Sequence, residues 1–192
     1  MKTLLVSAAF AAAILAPSAA SAQAVPAAVV AVVDLDRVTS QCNACKTASA
    51  TLRSQATSFQ SRRDSLASSL QTEQKSIQAA VDALKGKDPD AALQTRIKSF
   101  QAKAQQDEQE LASQQQQIQA NQQYIQKQIA DKLGPIYQQV MTRRGANLLV
   151  EVGATLATSQ NVDVTNDVLA ALNASLPSLA TTAPAQQKPQ GR

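Results

Sequence analysis

Apolar residues that recur every seven positions, on two long segments separated by a break, constrain the fold of this chain most. On the first segment, from about residue 47 to residue 84, two stripes of this spacing run side by side, and Gly and Pro are absent. Their alternating steps of four and three residues are typical of a coiled-coil seam. The stripes hold Leu52, Phe59, Leu66, Glu73 and Ala80, and Ala56, Arg63, Leu70, Ile77 and Leu84. Because Arg63 and Glu73 are charged, the seam is imperfect.

The pattern stops at residues 85–90, where Gly86 and Pro89 predict a tight reversal of the chain. A second segment follows, and its apolar stripe holds Ile97, Ala104, Leu111, Ile118 and Ile125. The companion stripe starts apolar and then becomes polar, with Leu93, Phe100, Asp107, Gln114, Asn121 and Gln128. A disordered low-complexity tract is the alternative for the Gln-rich residues 101–128. The helix propensity of Gln and the unbroken apolar spacing favour a helix.

Two helices joined by a short turn predict an antiparallel hairpin over residues 47–133. At 1.5 Å per residue, each helix would reach roughly 55–60 Å. A hairpin of this length is too thin to enclose a globular core. We therefore expect it to project as an arm from another part of the molecule.

The sequences that flank the hairpin predict a small body formed by residues 23–46 and 134–173. Short aliphatic runs predict strands near residues 29–33 and 148–152, and a short helix is expected near residues 166–173. About 60 residues are few for an independently stable domain, so oligomerisation is expected. The predicted fold is mostly α with a small β component, a long antiparallel coiled-coil hairpin on a small α+β oligomerisation body.

Three local signals refine the returning half of the chain. Pro135 is expected to kink the second helix or to restart it. Thr165 is a candidate N-cap of the short helix. Residues 174–192 are rich in Pro, Ala, Thr and Gln and predict a disordered tail.

The N-terminal residues 1–22 have the three parts of a cleavable signal peptide. Lys2 supplies the positive charge, residues 4–15 are apolar, and Ala20-Ser21-Ala22 places small residues at the cleavage site. The apolar stretch is shorter than the roughly 20 residues that span a bilayer, which disfavours a retained anchor. Export from the cytoplasm, with cleavage after Ala22, is therefore expected.

The composition argues against an enzyme. The chain has no His, the commonest general base and transition-metal ligand, and no Gly-rich phosphate loop. We predict no catalytic residue, no cofactor and no metal site. Without Lys2 the net charge falls from +4 to +3. This mild charge does not indicate nucleic-acid binding, which calls for dense Lys and Arg clusters with aromatic platforms.

Cys42 and Cys45 have the spacing of a thiol–disulfide exchange motif. Redox catalysis would also require a βαβ setting, which a coiled-coil arm does not provide. A structural disulfide near the base of the arm, local or between subunits, is favoured in an oxidising compartment. Two thiols without His fall short of the four ligands of a zinc site unless subunits pool them.

Four segments flank the hairpin in a fixed order. They are Ala31-Val32-Val33-Asp34-Leu35-Asp36-Arg37-Val38, Pro135-Ile136-Tyr137, Gly145-Ala146-Asn147-Leu148-Leu149-Val150, and Val162-Asp163-Val164-Thr165-Asn166-Asp167-Val168-Leu169. Their order and spacing resemble the Skp/OmpH family of periplasmic chaperones, which implies that the exported chain is in the periplasm. The resemblance covers nearly all of the chain from the predicted cleavage site to Asn173. It implies a homotrimer whose arms enclose a cavity, and an ATP-independent holdase that keeps unfolded outer-membrane β-barrel proteins from aggregating. The alternative from another class is a structural or adaptor coiled-coil protein of the cell envelope.

The predicted end of the arm carries an excess of positive charge. Six cations stand against three carboxylates between residues 75 and 103; the cations are Lys75, Lys85, Lys87, Arg96, Lys98 and Lys103. Members of the family that this chain resembles have basic arms thought to attract acidic clients or anionic lipid, and this end could do the same. The competing interpretation is a solvated turn whose charges have no specific partner.

Overall fold

Two long helices make up most of the chain, and short elements gather at their shared end. The computed structural model describes residues 25–184. The predicted signal peptide, residues 1–22, lies outside the described residues. The elements are, in chain order, β1 Val30–Val33, α1 Leu35–Gln41, α2 Asn43–Ala83, α3 Ala91–Arg144, β2 Leu148–Glu151 and α4 Thr165–Ser175. Single 3-10 turns at Val152–Ala154 and Gln160–Val162 join β2 to α4. The predicted fold class, mostly α with a small β component and a long hairpin, is confirmed.

The two strands form a parallel pair, in which Val30 faces Leu148 and Val33 faces Glu151. A parallel pair needs a long crossover, and here α1, α2 and α3 supply it. Asp163 adds an isolated parallel bridge beside Val32. The sheet therefore holds both ends of the hairpin together at one place.

A short helix that was not predicted separately connects β1 to the arm. The Asp34 side chain caps α1, accepting a hydrogen bond of 2.7 Å from the backbone N of Arg37. Cys42 ends α1 and caps α2, so one residue separates the two helices. This break turns the chain from the sheet into the arm.

The hydrophobic core lies in the body, where α3 and α4 pack against β1 and the start of α2. Its members are Ala31, Val33, Val38, Cys42, Ala44, Cys45, Leu133, Ile136, Val140, Val164, Val168, Leu172 and Leu176. Val38, Val140, Val168 and Leu172 are completely buried. The arm has few buried residues by comparison, namely Ala48, Leu66, Asp107, Asn121 and Ile125.

The predicted heptad stripes face each other along the arm. Every stripe position on α2 and α3 is buried or half-buried except Ala56 and Arg63, which are exposed. Gln55 contacts Asn121 near the base, and Glu73 contacts Arg96 near the turn, so the helices are antiparallel. At 1.5 Å per residue, the 41 residues of α2 reach about 62 Å and the 54 residues of α3 about 81 Å.

Of the two alternatives for Pro135, a kink or a restart of the second helix, the structure excludes the restart, because α3 continues through Pro135 to Arg144. Leu133, Ile136 and Val140 lie on both sides of the proline and are buried in the body core. Their packing holds the backbone helical where proline removes a main-chain hydrogen bond. The returning helix therefore belongs to both the arm and the body.

Thr165 is not the N-cap of α4, because it is the first residue of the helix and Val164 precedes it without a side-chain cap. The Asp163 carboxylate accepts the Thr165 backbone N–H at 2.8 Å. The Thr165 hydroxyl instead accepts the Asp34 backbone N–H at 2.9 Å. This buried hydroxyl ties the start of α4 to the end of β1, a long-range role that a local capping pattern does not reveal.

The chain after residue 174 differs from the predicted disordered tail. The helix α4 continues to Ser175, and Leu176 is only 6% exposed in the core. Residues 180–183 then make hydrogen bonds to side chains of the arm. Apolar packing of Leu176 and Leu179 outweighs the polar composition of this segment. Residues 185–192 lie outside the described part of the chain.

We expect Leu172→Ala to lower the free energy of unfolding by about 2–5 kcal/mol, because it removes a fully buried side chain and leaves a cavity. Urea denaturation followed by circular dichroism measures this change. The matched control is Leu156→Ala, since Leu156 is fully exposed and its truncation should alter the midpoint little. Equal effects of the two substitutions would contradict this placement of the core.

Candidate functional site

The far end of the arm is a tight turn between α2 and α3. Lys85 and Gly86 have positive φ angles of 48° and 89°, the left-handed conformation that reverses the chain after a helix. Asp90 then caps α3, accepting the Leu93 backbone N–H at 2.8 Å. This local chemistry places Lys85 and Lys87 at the point of the arm farthest from the body.

The six predicted cations divide into two groups. Arg96 is half-buried, and its guanidinium donates to both carboxylate oxygens of Glu73, at 2.6 and 3.1 Å, and to Ser76. Lys103 donates to both oxygens of Asp107, at 3.0 and 2.9 Å. The remaining four are exposed and make no ion pair within residues 25–184; they are Lys75, Lys85, Lys87 and Lys98.

The pairing weakens the predicted excess of charge at the end of the arm. The two partner carboxylates lie just outside the interval from which the excess was counted. Over residues 73–107 the six cations stand against five carboxylates. The four exposed lysines are therefore the part of the predicted set that can meet a partner at the surface.

Ion pairs across the hairpin explain one charged position in the predicted seam. Hydrogen bonding to Arg96 is the main cause that lowers the pKa of Glu73. Nearer the body, Arg62 donates to Glu110 at 3.0 and 3.3 Å. These two pairs join α2 to α3 where the apolar stripe is narrow, and they fix the register of the helices more than they add stability.

A groove of about 690 Å³ lies between the two helices beside the Glu73–Arg96 pair. Leu70 and Phe100 supply its apolar lining, and several serines supply much of the rest. A ligand in this groove would contact a small apolar area surrounded by hydroxyl groups. Such a surface suits weak contact with many partners better than tight capture of one.

Cys42 and Cys45 lie at the base of the arm and far from its turn, and the structure joins them by a disulfide with a Cα–Cα distance of 5.1 Å. Both residues are buried in the body core, at 0% and 4% exposure. Thiol–disulfide exchange requires access to a sulfur atom. Burial therefore favours a structural role over redox catalysis.

Sequence reasoning missed one group of polar residues on the arm. Gln55, Asn121 and Gln128 bind residues 180–183 of the chain through their amide groups. The available signal was the polar companion stripe of α3, in which polar residues recur every seven positions. By itself this stripe predicts only a weak seam between the helices.

Within residues 25–184, no group of three or more His, Cys, Asp or Glu side chains is arranged to hold a metal ion. The helices in this part of the chain also fall short of the length and apolar character that crossing a membrane requires.

We expect Arg96→Gln to raise the pKa of Glu73 toward the ordinary range of a carboxyl group. The pair stabilises the ionised form of Glu73, so its contribution to stability is present above the unfolded-state pKa. That contribution is lost as the pH falls through the folded-state pKa. An NMR titration of the Glu73 side-chain carboxyl carbon measures the shift. Arg63→Gln is the control, because Arg63 is exposed on the same helix and forms no ion pair among the described residues. An unchanged Glu73 titration in R96Q would show that the pair does not form in solution.

Comparison with known proteins agrees with this architecture. No curated protein matches the chain. A crystal structure from Caulobacter crescentus CB15, described as that of a candidate outer membrane chaperone (OmpH-like), superposes with a TM-score of 0.68 at 22% sequence identity. The match covers 85% of this chain and 96% of the other, and at this identity it shows a shared fold. The family described as outer membrane protein (OmpH-like) matches residues 29–172. Because this match covers most of the sequence, the chain belongs to the OmpH-like family.

Proposed function

We propose that this protein is an ATP-independent periplasmic holdase that binds unfolded outer-membrane β-barrel proteins and prevents their aggregation. The observation that carries the proposal is a long hairpin arm, projecting from a small body, in a member of the OmpH-like family. The chain acts by binding and not by catalysis. Its predicted signal peptide would deliver it to the periplasm, where a chaperone has no ATP to use.

The surface of the arm supports transient binding of an unfolded client. Leu66 and Ile125 are the two large apolar side chains that are buried in the arm outside the body core. Most of the arm is polar, and its apolar stripe is half-buried and narrow. An unfolded chain would therefore meet scattered apolar patches and many amide and hydroxyl groups. Such contacts hold a client without trapping it.

The body supports oligomerisation, and we propose a homotrimer. A two-stranded sheet is marginally stable by itself, and unpaired strand edges are open to further chains. Val29, Val30 and Leu148 lie at one end of this sheet and are 50%, 39% and 46% exposed. Burying these side chains between subunits would add the apolar core that one small body lacks.

Charge supports a second contact at the end of the arm. The four exposed lysines, Lys75, Lys85, Lys87 and Lys98, form a cationic end on each arm. Several such ends in one oligomer would attract acidic client segments or anionic lipid over about 8–10 Å at physiological salt.

We expect the protein to suppress aggregation of a urea-unfolded outer-membrane β-barrel protein after dilution, because the arms cover its exposed apolar segments. Light scattering at three chains per client measures this effect, and added ATP should not change it.

The oligomeric mass from light scattering coupled to size exclusion should be three times that of one chain. A folded trimer that leaves client aggregation unchanged would identify a structural or adaptor protein instead.

Replacing the four exposed lysines by Gln should weaken binding to vesicles that contain anionic lipid, because each lysine near such a surface contributes about 1 kcal/mol. Vesicle co-sedimentation at low and high salt measures this loss. The matched control replaces Lys46, Arg53, Arg63 and Lys132 by Gln, which removes the same charge from exposed positions away from the turn. Equal binding by the two variants would show that the end of the arm is only a solvated turn.

A further inference from the structure

The last described residues of the chain lie extended along the base of the arm. Residues 179–184 alternate between half-buried and exposed, the period-two pattern of an extended chain that rests on a surface. The half-buried positions are Leu179, Thr181 and Ala183, and the exposed ones are Ala180, Thr182 and Pro184. Leu176 and Leu179 anchor the start of this segment in the body core.

Amide side chains of α3 pair with the main chain of this segment. Gln128 Nε2 donates to the carbonyl oxygen of Ala180 at 2.8 Å, and the Ala180 N–H donates back to Gln128 Oε1 at 3.0 Å. Ala183 is held at both polar atoms, because its N–H donates to Asn121 Oδ1 at 2.8 Å and its carbonyl accepts from Gln117 Nε2 at 3.4 Å. One glutamine thus offers the donor and acceptor that a neighbouring β-strand would offer.

A second set of bonds connects the segment to the other helix of the arm. Asn121 Nδ2 donates to Gln55 Oε1 at 3.0 Å, and Gln55 Nε2 donates to the Thr181 carbonyl oxygen at 3.3 Å. Asn121 is only 4% exposed and sits where a coiled coil ordinarily places an apolar residue. We name Gln55, Gln117, Asn121 and Gln128 the amide groove.

The amide groove forms its hydrogen bonds with the main chain of the bound segment and not with its side chains. Each of its hydrogen bonds to residues 180–183 ends on a backbone nitrogen or oxygen. A site of this kind accepts an extended polypeptide with little regard to its side chains, as an added strand does at a sheet edge. An unfolded β-barrel segment is a polypeptide of that class.

We propose that the amide groove is a binding site for the main chain of an extended polypeptide, and that residues 176–184 occupy it in place of a client segment. The inference rests on the proposed holdase function for the identity of its natural ligand. The groove continues toward the turn as a space of about 520 Å³ lined in part by Phe59 and Ile118, which a longer segment can follow. Residues 176–184 belong to the same chain as the amide groove, so they compete with a client for it at a high effective concentration. A client with many segments can nevertheless displace them.

The proposal assigns a role to the Gln-rich second helix. Asn121 and Gln128 belong to the companion stripe that becomes polar along α3. Apolar residues at these positions would close the hairpin more tightly and would leave a bound main chain without partners. The polar stripe weakens the seam and in return forms a surface that pairs with a backbone.

The test uses the full chain and a fluorescent probe peptide with the sequence of residues 176–184. Ala180→Pro with Ala183→Pro removes both N–H groups that residues 176–184 donate to the amide groove. If the native segment covers the groove nine-tenths of the time, this variant should bind the probe about tenfold more tightly than the native chain. Fluorescence anisotropy measures the affinity. A probe with permuted non-proline residues should bind equally well, and one N-methylated at the nitrogens of the two alanines should not bind.

Asn121→Leu with Gln128→Leu, made in the proline variant, should abolish probe binding. Gln123→Leu with Gln126→Leu is the matched control, because these two glutamines are exposed on the same helix outside the groove. Circular dichroism checks that each variant keeps its helix content. Equal probe affinity of the native chain and the proline variant, or undiminished binding after the groove substitutions, would overturn the proposal.

Hydrogen exchange tests the same contact without any substitution. The amides of Ala180 and Ala183 should be protected in the native protein, that of Thr182 should exchange quickly, and excess probe peptide should remove the protection. Fast exchange at all three amides would also overturn the proposal. If the protein suppresses client aggregation but does not bind the probe, the amide groove is not a binding site and the proposed holdase function stands. If it binds the probe but does not suppress aggregation, the holdase function is wrong and the amide groove stands.

Discussion

The packing of α3 against α4 in the body is the interaction on which the rest of the molecule depends. Val140 on α3 and Val168 and Leu172 on α4 are completely buried, and the strand β1 covers them from another side. The arm contributes little core of its own, so it cannot hold its direction without this anchor. Because α3 continues through Pro135 and packs in the core on both sides of it, the body positions the returning helix directly.

The arm illustrates how polar contacts can replace apolar ones along a coiled coil. Near the turn, Arg96 and Glu73 bridge the helices, and near the base Gln55 and Asn121 do so. Each such contact is worth less than a buried leucine, but each specifies register and leaves polar groups at the surface. The resulting arm is long, has few buried apolar residues and exposes polar groups over much of its length. These properties agree with the proposed holdase function.

Much of the architecture could be predicted from the sequence, since the heptads placed the helices of the hairpin and their seam, and Gly86 and Pro89 placed the turn. The candidate site was harder to predict. Arg96 pairs with Glu73, which only the folded hairpin brings near, whereas Lys103 pairs with Asp107 one turn further along the same helix. Thr165 looked like a local cap, but its hydroxyl accepts a bond from Asp34, 131 residues earlier in the chain.

The sequence by itself determined the helical arm, the reversal at Gly86 and Pro89 and the strands on either side, because these follow from spacing and local backbone preference. Only the tertiary structure decided that α3 runs through Pro135, because buried neighbours compensate there for a missing hydrogen bond. It alone also placed residues 176–184 on the arm. Their composition predicts disorder, but Leu176 and Leu179 pack against the body core, and the main chain forms hydrogen bonds with the amides of Asn121 and Gln128. Long-range contacts of this kind carry no local signal, which is why folding had to reveal them.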